Sequence, residues 1–525
     1  MVRGQSVQQA LAQSAARASV SDPALAELAR REQDAQREIA GLNGILSGLL
    51  SVSDGQGGAA AINALRAKID ALRDERGKLA SEIEAKFPNY AELVNPKPAT
   101  VAEARASLRP GESLIAFYVG ESQSYVWAVS KDGPVGFARV AMGADRLADA
   151  VGLLRAALDP NAGTIEEIPA FDVAAAHGLY KAFLEPVTAS WQSAKTLLIV
   201  PHGAWGFLPL SVLPTKAAPL KKDGQVAFAS YREVAWLART HAVANLPSVA
   251  SLKALRALPA ASAQRQAFVG FGDPWFNAQQ AAEGAKDAPA LAMRGGKVAL
   301  VRRNASRMAE ADSARLAMLP RLADTRAELL NIAGALKADP FKSVFLGKDA
   351  NEERVKTMAL KDYRILAFAT HGLVPGELDG LTELALALTA PEIAGVPGDG
   401  LLGMADVLAL KLDADWVVLS ACNTASGDGA GAEAVSGLGR AFFYAGTRAI
   451  LATNWPVHSA SAARLTANLF RRQAAGSANR AEALRQAALA LIDGKGFEDQ
   501  GTGRELFAYA HPLFWAPFSL YGDGG

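Results

Sequence analysis

Over the first hundred residues, hydrophobic positions recur at alternating spacings of three and four. Leu25, Leu28, Ala35, Ile39, Leu42, Leu46 and Leu49 keep this rhythm, with Glu32 filling one of the apolar places. Asp22-Pro23 supplies a helix start, Asp as N-cap and Pro at the first helical position. The stretch "SVSDGQGG" (51–58) interrupts the pattern, and Ile62, Leu65, Ile69, Leu72, Leu79 and Ile83 then resume it around Arg76. Two heptad stripes on either side of a Gly-rich turn predict an antiparallel helical hairpin, a coiled-coil region within 1–95. Pro88, Pro96 and Pro98 end it. Such a hairpin is either an intramolecular brace or a docking arm for a protein partner.

From about residue 110 the period changes. "SLIAFYV" and "SYVWAVS", separated by "GESQ", read as a β-hairpin. Short apolar runs follow at 196–200, 266–271, 343–347, 364–370, 415–421 and 448–455. Helical stretches lie between many of them, including 323–338, 434–446 and 459–475. Buried strands alternating with helices predict a largely parallel sheet covered on both faces. Residues 280–315 read as a mobile surface insertion. "LLIVPHG" (197–203) and "LAFATHG" (366–372) echo one another, each an apolar strand ending in His-Gly. The echo suggests two related α/β halves, 100–262 and 263–525.

Composition narrows the function classes. The chain has 525 residues, half of them hydrophobic, and a net charge of +1, which gives no electrostatic case for nucleic acid or an anionic membrane as partner. A single cysteine excludes an intramolecular disulfide framework and a Cys-rich zinc site, and suits a reducing, cytoplasmic compartment. The N-terminus lacks the apolar segment of a secretory signal, and no apolar run is long enough to span a membrane. No metal or cofactor is expected.

The lone thiol, Cys422, stands just after the strand predicted at 415–421, and His371 just after that at 364–370. Reacting groups in open α/β sheets collect at the carboxyl ends of strands. If these two strands are parallel neighbours, a thiol and a base emerge at one edge. Gly372 follows the histidine; without a Cβ it would let a substrate approach the backbone and present its N–H to the site, and paired with the N–H of Cys422 it would make an oxyanion hole. The other reading is a buried, inert cysteine and a structural histidine.

At these residues the chain resembles a known family. Strand-"ATHG", "VVLSACNT" and "GAEAVSGLGRAFFYAGTRAILATNWPV" resemble the CHAT domain of caspase-like (clan CD) cysteine peptidases. So do "FVGFGDPWF" (268–276), "LPRLADTRAELLNIAGAL" (319–336), "PHGAWGFLPLSVLP" (201–214), "PGESLIAFYV" (110–119) and "HPLFWAPFSLYG" (511–522), which extends the likeness over about 100–525. The resemblance implies an α/β fold: a caspase-like, mostly parallel sheet flanked by helices, with an inactive N-terminal half and an active C-terminal half. The helical hairpin precedes it. The resemblance also implies a dyad, Cys422 as nucleophile and His371 as general base and acid, with the Gly372 and Cys422 amides as oxyanion hole. The family is associated with bacterial defence and programmed cell death.

Two departures bear on specificity. Where relatives carry an acid after "WPV", this chain has His458, read as a surface histidine or as part of substrate recognition. Ser420, two residues before the cysteine where caspases have Gln, is neutral. Asp428 and Glu433 are then the charged candidates to attract a basic substrate side chain, unless they are solvated loop acids or helix-start charges. Ser420, Asp428 and Glu433 make up the candidate substrate-binding set. The expectation is a cysteine endopeptidase acting on protein or peptide substrates and regulated by a partner through the N-terminal helices. A CHAT-like interaction scaffold with incidental hydrolysis is the alternative. A glutaminase-type amidase would use the same chemistry, but the His-before-Cys order disfavours it.

Overall fold

The structure, a computed structural model, describes residues 28, 31, 35, 39, 42, 56–86, 99–160, 162–217, 219–221, 223–259, 261–284, 316–373, 384–421, 437–476, 479–499 and 501–525. Residues 11–98 form one compact unit, and residues 99–525 belong to another.

In the first unit, helix α1 (Gln56–Lys86) is 31 residues long. It begins inside the predicted break. The first N–H groups of any helix lack intrahelical partners, so Gly57 and Gly58 weaken little there, and Ala59, Ala60 and Ala61 propagate the turn. Residues 28, 31, 35, 39 and 42 are also helical. Leu28 and Ala35 are buried, as are Ile69 and Leu79 of α1, so apolar positions of both predicted stripes face inward. Arg31 Nη2 meets Glu75 Oε1 at 3.3 Å; with both side chains half exposed, the pair adds little stability.

The second unit is built on one eleven-stranded sheet. In chain order its strands are β1 (Glu112–Val119), β2 (Ser124–Ser130), β3 (Val135–Val140), β4 (Thr196–Val200), β5 (Ala242–Asn245), β6 (Val269–Gly272), β7 (Val344–Leu346), β8 (Ile365–Ala369), β12 (Trp416–Leu419), β13 (Ala449–Thr453) and β16 (Phe518–Gly522). Between them, β9 (Gly372–Leu373), β10 (Ala385–Ala387) and β11 (Leu401–Gly403) make a small sheet, and β14 (Phe497–Glu498) pairs with β15 (Glu505–Phe507). Across the large sheet the order is β3-β2-β1-β4-β5-β16-β13-β12-β8-β6-β7. All neighbours pair in parallel except β3–β2, β2–β1 and β16–β13.

The antiparallel seam between β16 and β13 has a consequence for function. The strands β1, β4, β5 and β16 run one way, and β13, β12, β8, β6 and β7 run the other. The two His-Gly motifs therefore leave opposite edges of the sheet: His202 after β4, His371 after β8. The last strand, β16, lies beside β5, with Tyr521 opposite Asn245. Arg256 ties this seam together through Glu112 at 2.6 Å and Asp523 at 3.0 Å, and Arg109 reaches both Asp523 oxygens.

The strands β4, β8, β12 and β13 are buried at every position, as a parallel sheet covered on both faces requires. Among the covering helices are α2 (Asp324–Ala335), α3 (Gly437–Ala445), α4 (Ser459–Ala474) and α5 (Arg480–Ile492). Helix α2 packs on α4, and α4 on α5. Of the insertion expected at 280–315, the described part, 280–284, belongs to a helix. Residues 278–284 are helical and Gln280 is buried, hydrogen-bonded to the backbone at Phe276 and Leu319; residues 285–315 lie outside the described residues.

Candidate active site

The strands β8 and β12 are neighbours and parallel, with Val417 opposite Leu366 and Leu419 opposite Phe368. The ladder continues past the strand end, where Ser420 N–H donates to Phe368 O at 2.9 Å. The carboxyl ends of the two strands thus lie side by side, one leading through Thr370 to His371, the other through Ser420 and Ala421 toward Cys422. Cys422, Asp428 and Glu433 lie outside the described residues.

His371 is fully buried. Its Nε2 lies 2.8 Å from the carbonyl oxygen of Pro320. A carbonyl only accepts, so Nε2 carries the hydrogen, and in the neutral ring Nδ1 is the basic nitrogen. The same carbonyl would also hold an imidazolium at this position, whose Nε2–H is the stronger donor. Phe276 lies against the ring at a centroid distance of 5.7 Å. It belongs to a small apolar cluster with Leu319, Leu373 and Ala387.

Gly372 begins β9 and is opposite Leu386 of β10. Next to this pair, Ala387 N–H donates to His371 O at 2.9 Å. In an antiparallel ladder, that bond turns the Gly372 amide away from β10. Its N–H is therefore not spent on the ladder, which is what an oxyanion donor needs.

Ser420 is buried, and its hydroxyl donates to Glu328 Oε2 at 3.2 Å. Glu328 is fully buried on α2, and Thr466 of α4 donates to its other oxygen at 3.4 Å. The serine side chain thus joins the end of β12 to the helices behind it.

His458 is not a surface residue, contrary to the expectation from its sequence context. It is buried against Phe507, Tyr509 and Phe514, and its Nδ1 caps α4 by accepting from Ser461 N–H at 3.3 Å. His202 accepts from Val119 N–H at 2.9 Å and stacks on Tyr118 at 5.3 Å, on the far edge of the sheet from His371. Among the described residues no three His, Cys, Asp or Glu side chains gather as a metal site would need. No helix among them is long and apolar enough to cross a membrane.

Sequence reasoning assigned no role to Pro320, Gln280, Asp273 or Arg321. Pro320 and Arg321 open the quoted "LPRLADTRAELL", and Asp273 sits in "FVGFGDPWF", so the signal was a motif without a chemistry attached. The decisive group of Pro320 is a backbone oxygen, which no residue type announces.

The CHAT domain family matches residues 173–523, more than half of the chain. No curated protein matches it. Among solved structures, the chain is similar to the Arg-specific cysteine proteinase gingipain R, at 11% identity over 68% of each chain with a TM-score of 0.33. It is similar to the Porphyromonas gingivalis RgpB pro- and mature domains at 10% identity, covering 72% of this chain and 76% of that one, TM-score 0.34. It is also similar to the Saccharomyces cerevisiae separase–securin complex at 10% identity, TM-score 0.39; that match covers 95% of this chain but spans only 37% of the other.

Proposed function

The chain belongs to the CHAT domain family, and from that premise we propose that it is a cysteine endopeptidase cleaving protein substrates, with Cys422 as nucleophile and His371 as base. One observation carries this reading. An imidazole whose Nε2 is bound to the Pro320 carbonyl stands at the end of β8, beside the parallel strand that runs into Cys422.

His371 Nδ1 takes the thiol proton, and the Cys422 sulfur attacks the scissile carbonyl. The Gly372 and Cys422 amides receive the developing oxyanion. The imidazolium then returns its proton to the leaving amine, and water releases the acyl group from sulfur. Asp428 and Glu433 favour a basic residue before the scissile bond; Ser420, buried with its hydroxyl on Glu328, braces the end of β12 behind that subsite and does not line it. A protein ligand on the hairpin within 1–95 shifts the site toward its competent state. The cytoplasm is the compartment in which a lone thiol nucleophile persists reduced.

The test is an N-terminal cleavage profile of a cytoplasmic proteome with the wild type, Cys422→Ala and His371→Ala. Each variant should lose cleavage by about 10²-fold or more while keeping the wild-type melting curve. Full activity in either removes that residue from the mechanism. In the same assay, Asp428→Asn with Glu433→Gln should spare neutral cleavage sites, and deleting 1–95 should change the activated rate. Equal loss at all sites, or an unchanged rate, refutes the corresponding role.

A further inference from the structure

The backbone that holds His371 is itself anchored on both sides of Pro320. On one side, the Leu319 carbonyl accepts from Gln280 Nε2 at 2.7 Å, and Gln280 Oε1 accepts from Phe276 N–H at 2.8 Å. On the other, Arg321 grips Asp273 with two parallel contacts, Nε to Oδ1 at 2.7 Å and Nη2 to Oδ2 at 2.6 Å. Side-chain exposure is 10% for Arg321 and 0% for Asp273. Two-pronged contact between guanidinium and carboxylate fixes direction as well as distance, which a lysine cannot do. Arg326 adds a second cation at 3.5 Å.

Asp273 is held as firmly. Its N–H donates to Thr325 Oγ1 at 2.7 Å, and its carbonyl accepts from Gly347 N–H at 3.1 Å. Its φ is 47°, a left-handed value that is uncommon outside glycine and persists only where the surroundings enforce it; such residues gather at functional sites. Asp273 follows Gly272, which lies opposite Ala369 of β8. Carboxylate and imidazole therefore emerge at the same sheet edge, from adjacent strands.

We propose that the Asp273–Arg321 ion pair is the positioning device for His371: it fixes the strap Leu319–Arg321 so that the Pro320 carbonyl stays on Nε2 and Nδ1 remains the basic nitrogen. This rests on the reading of His371 as the base. Both are positioning residues, acting on the ring through the strap. Without the pair, the carbonyl moves off the ring, the two neutral tautomers approach equal energy, and the ring turns. A displacement of about 1 Å in a catalytic group costs about 10²-fold in rate.

The experiment uses the full chain with histidine rings labelled with ¹⁵N. The His371 signals are assigned by their loss in His371→Gln and followed above the titration of the ring. In the wild type, Nε2 should be protonated and Nδ1 bare. In Arg321→Met both nitrogens should move toward averaged values, and in Arg321→Lys less far in the same direction. On a peptide that the wild type cleaves, kcat should fall about 10²-fold with KM changed less than about two-fold. A folded Arg321→Met with an unaltered His371 tautomer overturns the proposal, whatever its activity. If Arg321→Met does not fold, Arg321→Lys and Asp273→Asn are read the same way, since Asn tolerates a positive φ. If all three unfold, the pair is a stability element and the proposal fails. A wild type that cleaves nothing, with the tautomer change present in the variants, refutes the peptidase reading and leaves the strap standing.

Discussion

His511 and His371 have the same first contact and different fates. The His511 Nε2 also donates to a proline carbonyl, that of Pro169, at 3.2 Å. Its Nδ1, however, accepts from Leu513 N–H at 3.2 Å, so both nitrogens are committed to structure. Phe228 and Tyr231 enclose the ring at 5.1 and 5.0 Å. Burial pushes its pKa down to about 3, against an ordinary value near 6.5. Between those values the unfolded chain binds a proton that the folded chain refuses, so stability falls as pH drops below about 6.5, by up to about 1.4 kcal/mol per pH unit. Burial lowers the pKa of His241 too, which acts in the same sense. His511→Asn keeps an acceptor for the Leu513 amide but removes the titrating ring. Its melting temperature should be lower than the wild type at pH 8, because of the cavity, yet flatter between pH 6.5 and 4.5. Parallel wild-type and variant profiles in that window would show that His511 does not carry the acid sensitivity.

Strand β6 shows how an element's composition sets the distance between layers. Gly270 and Gly272 face α2. A methyl group at Gly272 would lie 2.7 Å from Leu329 Cδ1 and 3.1 Å from the Ala369 carbonyl oxygen. The glycines thus let α2 close onto β6, which brings Thr325 within reach of Asp273. Gly272→Ala should destabilise the protein by about 1–3 kcal/mol, read from urea unfolding midpoints, because backbone cannot yield as a side chain can. At Gly270 the nearest atoms are all side-chain ends of Phe268 and Leu329, so Gly270→Ala should cost less. The reverse ranking would mean that the helix, not the strand backbone, is the rigid partner.

For the α/β unit as a whole, closure depends on the seam where the last strand joins the first block. Arg256 lies between Glu112 at the start of β1 and Asp523 just after β16, and all three side chains are largely buried. Arg256→Met would leave two buried carboxylates short of their guanidinium, with Arg109 still on Asp523. Removing one partner of such a network costs about 3–5 kcal/mol. The variant should unfold at clearly lower urea concentration than the wild type. A change within error would show that Arg109 and solvent suffice.

Much of this was legible in the chain itself. The stripes through Leu28, Ala35, Ile69 and Leu79, the buried runs of β4, β8, β12 and β13, and the His-Gly ending of β8 are local patterns. Periodicity reports which face of an element is buried, and an apolar run bounded by turn residues marks a strand. Local patterns do not record pairing direction. No residue in β13 or β16 announces that they run antiparallel, yet that seam sends His202 and His371 to opposite edges. The short strand β5 and the exposed edge β3 escaped for a related reason: neither has a buried run of its own, and their partners define them. His458 read as exposed because its cover, Phe507, Tyr509 and Phe514, arrives from far along the sequence. Only the folded chain could bring the Pro320 carbonyl to His371, since a backbone oxygen has no signature in the sequence and its placement depends on Gln280, Asp273 and Arg321 meeting from separate elements. Contacts of that kind are decided by collective packing, after the entropy of joining distant segments has been overcome.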